Sequence, residues 1–230
     1  MSVEACLFLI GGGPGIDVGA LSSAAQEIAG LKRFVFHCRD ESPSGDPFLK
    51  SPANHPNLVF QWYFDDLGLL EAALQRQGAI QSALEVAARM LLDHGAFVQQ
   101  VMAVRKLKAE DGQAPAERCT YLVSYEGEAD DFNAWLTHYM THHPPLMMQL
   151  PGLRELEIYT RVDYRTGLAF ARAAAMQRNK VAFDDFSALS AALASPVRAK
   201  MKADFDALPR YRGDALHYPM HSIYGNLPAS

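Results

Sequence analysis

The sequence predicts an α+β protein in which two ferredoxin-like βαββαβ repeats of one chain pack together as an α+β barrel. The first observation is an internal repeat: "FDDLGLLEAAL" from Phe64 and "FDDFSALSAAL" from Phe183 are identical at seven of eleven positions. The second is another related pair in the same order, "LKRFVFHCRD" from Leu31 and "LRELEIYTRVD" from Leu153. Two pairs in one order indicate a duplicated unit, and each copy alternates strands and helices as a split βαβ unit does.

The first copy contains four segments rich in β-branched and aromatic residues, which predict strands: "ACLFLI", "LKRFVFHCRD", "NLVFQWYFDD" and "FVQQVMAVRKL". A short helix, "ALSSAAQEIAG", separates the first two, and a long helix from about Leu69 to Leu92 separates the last two. The "GGGPG" after the first strand suggests a dinucleotide loop. No G-x-G-x-x-G register fits it, so we interpret it as a flexible loop.

The second copy begins with a strand, "CTYLVSYEG", and a helix from Asp130 to about Leu150. The strand "LRELEIYTRVDY", a third strand in "NKVAFDD", a helix towards Ala207 and a last strand, "ALHYPMHSIY", follow. Pro219 favours an edge or bulged position for that last strand. The boundary is predicted in "AEDGQAPAER", which has linker composition. Residues 1–112 then form an N-terminal repeat and residues 113–230 a C-terminal repeat.

Paired aspartates precede the second helix in both copies, at Asp65-Asp66 and Asp184-Asp185. Their position suits N-capping better than catalysis. A cavity between the two sheets of the barrel is the natural place for a ligand.

The bulk composition restricts the class of partner. The chain has 230 residues, 49% of them hydrophobic, and a net charge of -5. No basic field favours nucleic acid or an anionic membrane surface, and no apolar run approaches the roughly 20 residues that span a bilayer. Three widely spaced cysteines without a C-x-x-C pair predict a reduced, cytoplasmic protein.

The helix after the first strand of copy two has a clear apolar stripe that includes a histidine. Phe132, Leu136, Tyr139, His143, Leu146 and Leu150 recur at intervals of three and four residues, the pattern of a buried helix face. Pro144 and Pro145 follow His143 directly, and proline disrupts the preceding helical turn. We therefore expect the helix to break or kink at His143 and the imidazole to project towards a cavity.

The segment "FNAWLTHYMTHHPPLMMQLPGLRELEIY" resembles the EthD family of dimeric α+β barrel proteins. The resemblance rests on His143-Pro144-Pro145-Leu146, on the turn Pro151-Gly152-Leu153 and on the later "AFDDFSALSAALASP". It covers roughly Cys119 to Tyr224, and Pro144 replaces the family's usual alanine. Copy one has no His-x-Pro motif, so we expect one site per chain. The resemblance implies the barrel fold and a range of roles, from ether degradation to cofactor-free cyclases, decarboxylases and isomerases; related barrels bind haem or perform cofactor-free oxygenation.

Other polar and aromatic side chains are weaker candidates. His217 and His221 share one face of the last strand, where they lie either at a solvated edge or opposite His143. His138 and His142 lie one turn apart and could bind metal, but a solvated helix face is the simpler interpretation. Candidates for a pocket that holds a flat apolar ligand are Tyr139, Met147, Met148, Tyr159, Trp62 and Tyr63, although core packing also explains most of them. His37 either lines the barrel or is a structural histidine.

The predicted position of His143 and the absence of nucleotide or metal motifs favour a cofactor-independent acid/base enzyme. The resemblance implies a lyase, decarboxylase or isomerase type of reaction and an aromatic or polyketide-like substrate. His143 would be the acid/base, since imidazole exchanges protons near neutral pH, with Tyr159, His217 or His221 as orienting groups. Tyr139, Met147, Trp62, Tyr63 and His37 would contact the substrate. No cofactor and no metal are expected, and a homodimer is possible. The alternatives are a non-catalytic protein that binds a hydrophobic metabolite and a haem-binding or cofactor-free monooxygenase.

Overall fold

The computed structural model describes residues 3–12, 16–39, 55–87, 97–109 and 117–225. The strands are β1 (Ala5–Gly11), β2 (Leu31–Arg39), β3 (Leu58–Phe64), β4 (Phe97–Lys108), β5 (Glu117–Tyr125), β6 (Glu128–Ala129), β7 (Glu155–Arg161), β8 (Ala171–Arg172), β9 (Gln177–Phe183), β10 (Tyr211–Arg212) and β11 (Ala215–Gly225). The helices are α1 (Val18–Gln26), α2 (Leu67–Ala73), α3 (Ala79–Ala87), α4 (Phe132–Met147), α5 (Phe186–Leu193) and α6 (Pro196–Asp206).

Eight of these strands form a closed antiparallel barrel. Their order is β1-β3-β2-β11-β5-β9-β7-β4, and β4 pairs with β1 to close the ring. Within each repeat the fourth strand lies beside the first, then come the third and the second, which is the ferredoxin-like order. The pairings β2–β11 and β4–β7 join the two repeats. The predicted fold class is therefore confirmed, and the antiparallel pairing excludes a dinucleotide-binding parallel sheet.

The division into residues 1–112 and 113–230 stays a prediction. Residues 110–116, within the predicted boundary, lie outside the described part of the chain. So do residues 13–15 of the glycine-rich loop.

The strands present different residues to the two sides of the barrel because side chains alternate along a strand. In β3, Phe60 and Trp62 pack outwards against α1, α2 and α3, whereas Gln61 and Tyr63 point inwards. In the second repeat, the outer faces of β5, β7 and β9 pack against α4, α5 and α6. The helices thus cover two separate outer cores, one for each repeat.

The barrel interior is filled, so the predicted cavity between the two sheets is wrong. Buried side chains such as Phe8, Tyr63 and Tyr159 occupy the space. A hydrogen-bonded network of polar groups runs beside them, from Arg33 and Glu157 at one end to Ser222 and Thr120 at the other. Among the described residues, the recess at the barrel mouth has a volume of only about 10 Å³, which is room for about one water molecule.

Helix α4 does not break at His143, contrary to the prediction. It continues to Met147 with both prolines inside it. Proline removes one donor and disfavours the preceding turn, but the next turn closes through a 2.9 Å bond from the Met148 amide to the Pro144 carbonyl. Tyr139, His143 and Met147 are buried at four-residue intervals, and this packing offsets the missing backbone bonds.

Two predicted long helices are each divided in two. The helix expected from Leu69 to Leu92 forms α2 and α3, separated by Gln77 with a φ of 58° and by Gly78. A Cβ on Gly78 would lie 2.6 Å from the Ala73 carbonyl oxygen, so this turn requires glycine. Residues 88–92 of the predicted helix lie outside the described residues. In the second repeat, Pro196 begins α6, because proline suits the first turn of a helix.

Pro219 does not mark an edge strand, since β11 lies between β5 and β2. Its partner on β5 is Tyr121, whereas the described pairing with β2 begins only at Met220. Among the described residues, Pro219 has a pairing partner on β5 only, and a missing backbone donor is tolerated at a position that does not donate to the ladder.

The second aspartate of each repeated pair caps a helix, as the sequence indicates, whereas the first forms ion pairs. The Leu69 amide donates to Asp66 Oδ1 at 2.9 Å, and the Ala188 amide donates to Asp185 Oδ1 at 2.8 Å. Asp65 instead makes an exposed ion pair with Lys32 at 2.9 Å.

We expect Asp66→Ala to lower the free energy of unfolding by about 1 kcal/mol, because the substitution removes a helix cap. The matched variant Asp65→Ala is expected to cost less, since exposed ion pairs contribute little. Urea unfolding followed by circular dichroism measures both. Equal losses in the two variants would contradict the capping assignment.

Candidate functional site

A cavity lies between the outer face of the sheet and the helices of the C-terminal repeat. Its floor consists of outward side chains of β5, β9 and β11, and its walls come from α4, α5 and α6. Its volume is about 70 Å³, which is space for about five water molecules and roughly half of the ~150 Å³ that encloses a benzene ring. Most lining residues are apolar: Val123, Met147, Leu150, Val181, Phe183, Leu189, Leu193, Met201 and Phe205.

His143 lines this cavity and is held by a carboxylate from another helix. Its Nδ1 lies 2.7 Å from Oδ2 of Asp204 on α6, and the residue is 5% exposed. Burial lowers the pKa of His143, while the hydrogen bond and the charge of Asp204 partly offset that decrease. With Nδ1 occupied by Asp204, Nε2 is the ring nitrogen left for a ligand. A neutral imidazole oriented by a carboxylate is the arrangement of a general base.

The polar lining residues are neutral or cationic. His217, Asn179, Arg198 and Lys202 line the cavity beside His143, and no carboxylate of the described residues does so. This contrasts with the net charge of -5 of the whole chain. The Lys202 ammonium is bonded to both oxygens of Asp206 at 2.5 Å, so Arg198 is the charged lining group that can favour negative charge on a bound molecule.

Two of the other predicted residues lie at this cavity, and a third supports it. Met147 forms part of the wall, and His217 lies on the floor with its ring 5.3 Å from that of Tyr121. Tyr139 packs behind His143, with 5.0 Å between the ring centroids, and its hydroxyl accepts a 2.7 Å hydrogen bond from Asn179. Burial raises the pKa of Tyr139 well above its ordinary value, so this hydroxyl stays protonated.

The remaining predicted site residues lie elsewhere. Tyr159, Tyr63 and His37 are buried inside the barrel, on the opposite face of the sheet. Trp62 packs in the outer core of the N-terminal repeat, 4.6 Å from Phe34 between ring centroids. His221 lies farther along β11 and faces Glu117 at 3.6 Å. The periodicity of a strand does not indicate which of its faces borders a cavity. This is why the predicted site residues lie in several separate parts of the fold.

Sequence reasoning missed Asp204 and Arg198. Both lie on α6, far from His143 along the chain, and α6 carries charged residues around much of its circumference. No motif or spacing links them to the histidine. Only the contact between α4 and α6 brings them together.

Neither a metal nor a haem is supported by the residues at the site. No group of three or more possible metal ligands occurs among the described residues. His143 has one ring nitrogen that could be an axial haem ligand, but the cavity is far smaller than a porphyrin.

Comparisons with known proteins establish the fold. A proposed monooxygenase from Fusobacterium nucleatum has a TM-score of 0.58 and 9% identity, over 96% of this chain and 93% of its own. An anthrone oxidase-like protein has a TM-score of 0.57 and 11% identity, over 100% of this chain and 96% of its own. At such identities, the likeness shows an α+β barrel and no activity. No protein-family model and no curated protein matches the sequence.

An EthD family protein from Bacillus halodurans also aligns, at 19% identity over 41% of this chain and 94% of its own. A TM-score of 0.34 is too low to show a shared fold, so membership of that family stays a hypothesis. In the described part of the chain, no helix is both long and apolar enough to cross a membrane.

Proposed function

We propose that the protein is a cofactor-independent acid/base catalyst that removes a proton from a small aromatic or polyketide-like molecule. The observation that supports this proposal is the His143–Asp204 pair at an apolar cavity. His143 Nε2 takes an acidic C–H or phenolic O–H proton, and Asp204 orients the ring and stabilises the imidazolium that forms.

The anion produced by this step lies near Arg198 and His217; Lys202 also lines the cavity, but its ammonium is paired with Asp206. Charged or polar donors at the position where negative charge develops lower the barrier more than they would in water. The cavity encloses less volume than one benzene ring requires, so an aromatic substrate would enter it only in part. Larger polyketide-like substrates would extend through the opening. An isomerase returns the proton to another carbon of this anion, and a lyase expels a leaving group from it. A decarboxylase would reach a comparable anion by loss of CO₂, and protonated His143 would then donate the proton to it.

Two other outcomes remain as alternatives. The fold neighbours described as monooxygenase and anthrone oxidase-like favour oxidation of the substrate anion by O₂. A binding protein that sequesters a hydrophobic metabolite would use the same cavity without deprotonating the ligand.

Hydrogen–deuterium exchange tests the proposal without knowledge of the final product. We expect the protein to accelerate exchange of acidic C–H protons in a panel of single-ring phenols, β-keto acids and lactones in D₂O, followed by ¹H NMR. His142→Gln is the matched control, because His142 is an exposed neighbour on the same helix. Binding without exchange across the panel would favour the sequestering protein, and O₂ consumption with a binding substrate would favour the oxygenase.

A further inference from the structure

Asp204 faces a second histidine with its other oxygen atom. Oδ2 is bonded to His143 Nδ1 at 2.7 Å, and Oδ1 lies 3.4 Å from Nε2 of His138. Both histidines come from α4, and the carboxylate reaches them from α6. Nothing in the proposed chemistry uses His138, which is too far along the helix to line the cavity.

The Nε2 atom of His138 is buried and makes no hydrogen bond in the described residues. A buried polar atom without a hydrogen bond costs about 1–3 kcal/mol of stability. The presence of such a nitrogen at His138 therefore requires an explanation. The rest of the ring is in contact with solvent, since the side chain is 27% exposed. One side of the ring therefore contacts solvent while its inner nitrogen faces the carboxylate.

We propose that His138 is a positioning residue that holds the second oxygen of Asp204 and thereby sets how strongly His143 binds a proton. The effect of His138 on proton binding by His143 is independent of the proposed function; only its effect on the reaction rate rests on that function. When His138 presents an N–H to Oδ1, it takes up part of the negative charge that would otherwise stabilise a protonated His143. His143 then stays neutral, and ready to act as a base, to lower pH.

The charges around His143 are consistent with such tuning. Burial is the largest influence and lowers its pKa; Asp204 raises it, and Arg198 and His138 both lower it. Lys202 and His217 line the same cavity from α6 and β11. Asp204 is thus the only group among these that favours the imidazolium, and His138 is the group that contacts its free oxygen.

NMR titration of His143 in the protein without substrate tests the proposal. In His138→Leu, which removes every donor to Asp204 Oδ1, the titration midpoint of His143 is expected to rise by about half a pH unit. An opposite charge within a few ångströms shifts a pKa by about 1–3 units, and His138 acts on His143 only through Asp204. In His138→Lys, a permanent cation should shift the midpoint downwards. The pH profile of C–H exchange should move in the same directions.

Two controls separate this role from simple packing. His142→Gln, whose ring lies 4.6 Å from that of His138, should leave the midpoint of His143 unchanged. In the Asp204→Asn background, His138→Leu should no longer move the midpoint of His143, because the coupling passes through the carboxylate. If the thermal stability of His138→Leu falls and neither the leucine nor the lysine variant moves the midpoint of His143, His138 is only a packing residue. The titration requires no turnover, so failure of the proposed catalysis would leave its result unaffected.

Discussion

Replacing His143 by glutamine is expected to lower the rate of substrate deprotonation by about 10²–10⁴-fold, the usual contribution of a general base. Glutamine retains an N–H that can donate to Asp204 Oδ2, the present partner of the imidazole at 2.7 Å. It cannot accept a proton at neutral pH. The fold should therefore persist while the chemistry is lost. C–H exchange or turnover measures the first effect, and a thermal melt measures the second.

The pH dependence of the wild-type rate gives an independent check. Burial lowers the pKa of His143 from its ordinary value near 6.5, so the acid limb of the profile should lie below pH 6.5. The same shift affects stability: the unfolded state takes up the proton first as pH falls, and the contribution of this residue to stability is lost below about pH 6.5.

The exchange activity and the thermal stability of the variants together decide the role of His143. If His143→Gln unfolds at a much lower temperature, or if His142→Gln loses activity to the same extent, the residue is structural. If both variants keep the exchange activity, the base lies elsewhere.

The largest effect on stability is expected from Glu157→Ala, with a loss of about 3 kcal/mol in the free energy of unfolding, because removal of one partner of a buried ion pair is costly. The loss should lie at the low end for such pairs, since Arg33 keeps its 3.3 Å contact with Glu155. Glu157 is 2% exposed inside the barrel. It is ion-paired to Arg33, accepts a 2.8 Å hydrogen bond from the Tyr63 hydroxyl and is bonded to that of Tyr159. The variant removes the acceptor of all three groups at once.

Chemical denaturation at neutral pH measures this loss. Asp65→Ala is the matched control, since it deletes a carboxylate from an exposed ion pair with Lys32 and should cost no more than about 1 kcal/mol. Similar small losses in both variants would show that the barrel network does not stabilise the fold. Loss of C–H exchange without loss of stability in Glu157→Ala would instead indicate a functional role for the interior.

The interior network also predicts acid sensitivity. Burial raises the pKa of Glu157, but the charges of Arg33 and Lys180 outweigh burial and hold this pKa far below its ordinary value. The stabilising contribution of Glu157 is therefore present above about pH 4.5 and is lost as pH falls. Burial lowers the pKa of His37 to about 3. Because the unfolded His37 takes up a proton near pH 6.5, this residue also destabilises the folded state progressively between pH 6.5 and pH 3. The stability of Glu157→Ala should therefore depend less steeply on pH below 4.5.

The sequence was sufficient to predict the barrel and the capping aspartates. The internal repeat and the alternation within segments such as β3 depend on local patterns, and local patterns are what a sequence displays. The same patterns failed at Pro144 and Pro145, where α4 continues. Proline disfavours a helix through its immediate backbone neighbours. The packing of Tyr139, His143 and Met147, which preserves this helix, instead depends on residues far away in the sequence.

The sequence by itself determined that His143 lies on the buried face of its helix, because a 3.6-residue period fixes which positions share a side. Only the tertiary structure decided that this face meets Asp204, that His217 lies on the same cavity floor and that Tyr159 and His37 are enclosed on the other side of the sheet. These relations depend on which strand neighbours which and on how α6 crosses α4. Such contacts join residues far apart in the chain, and no spacing within either segment encodes them.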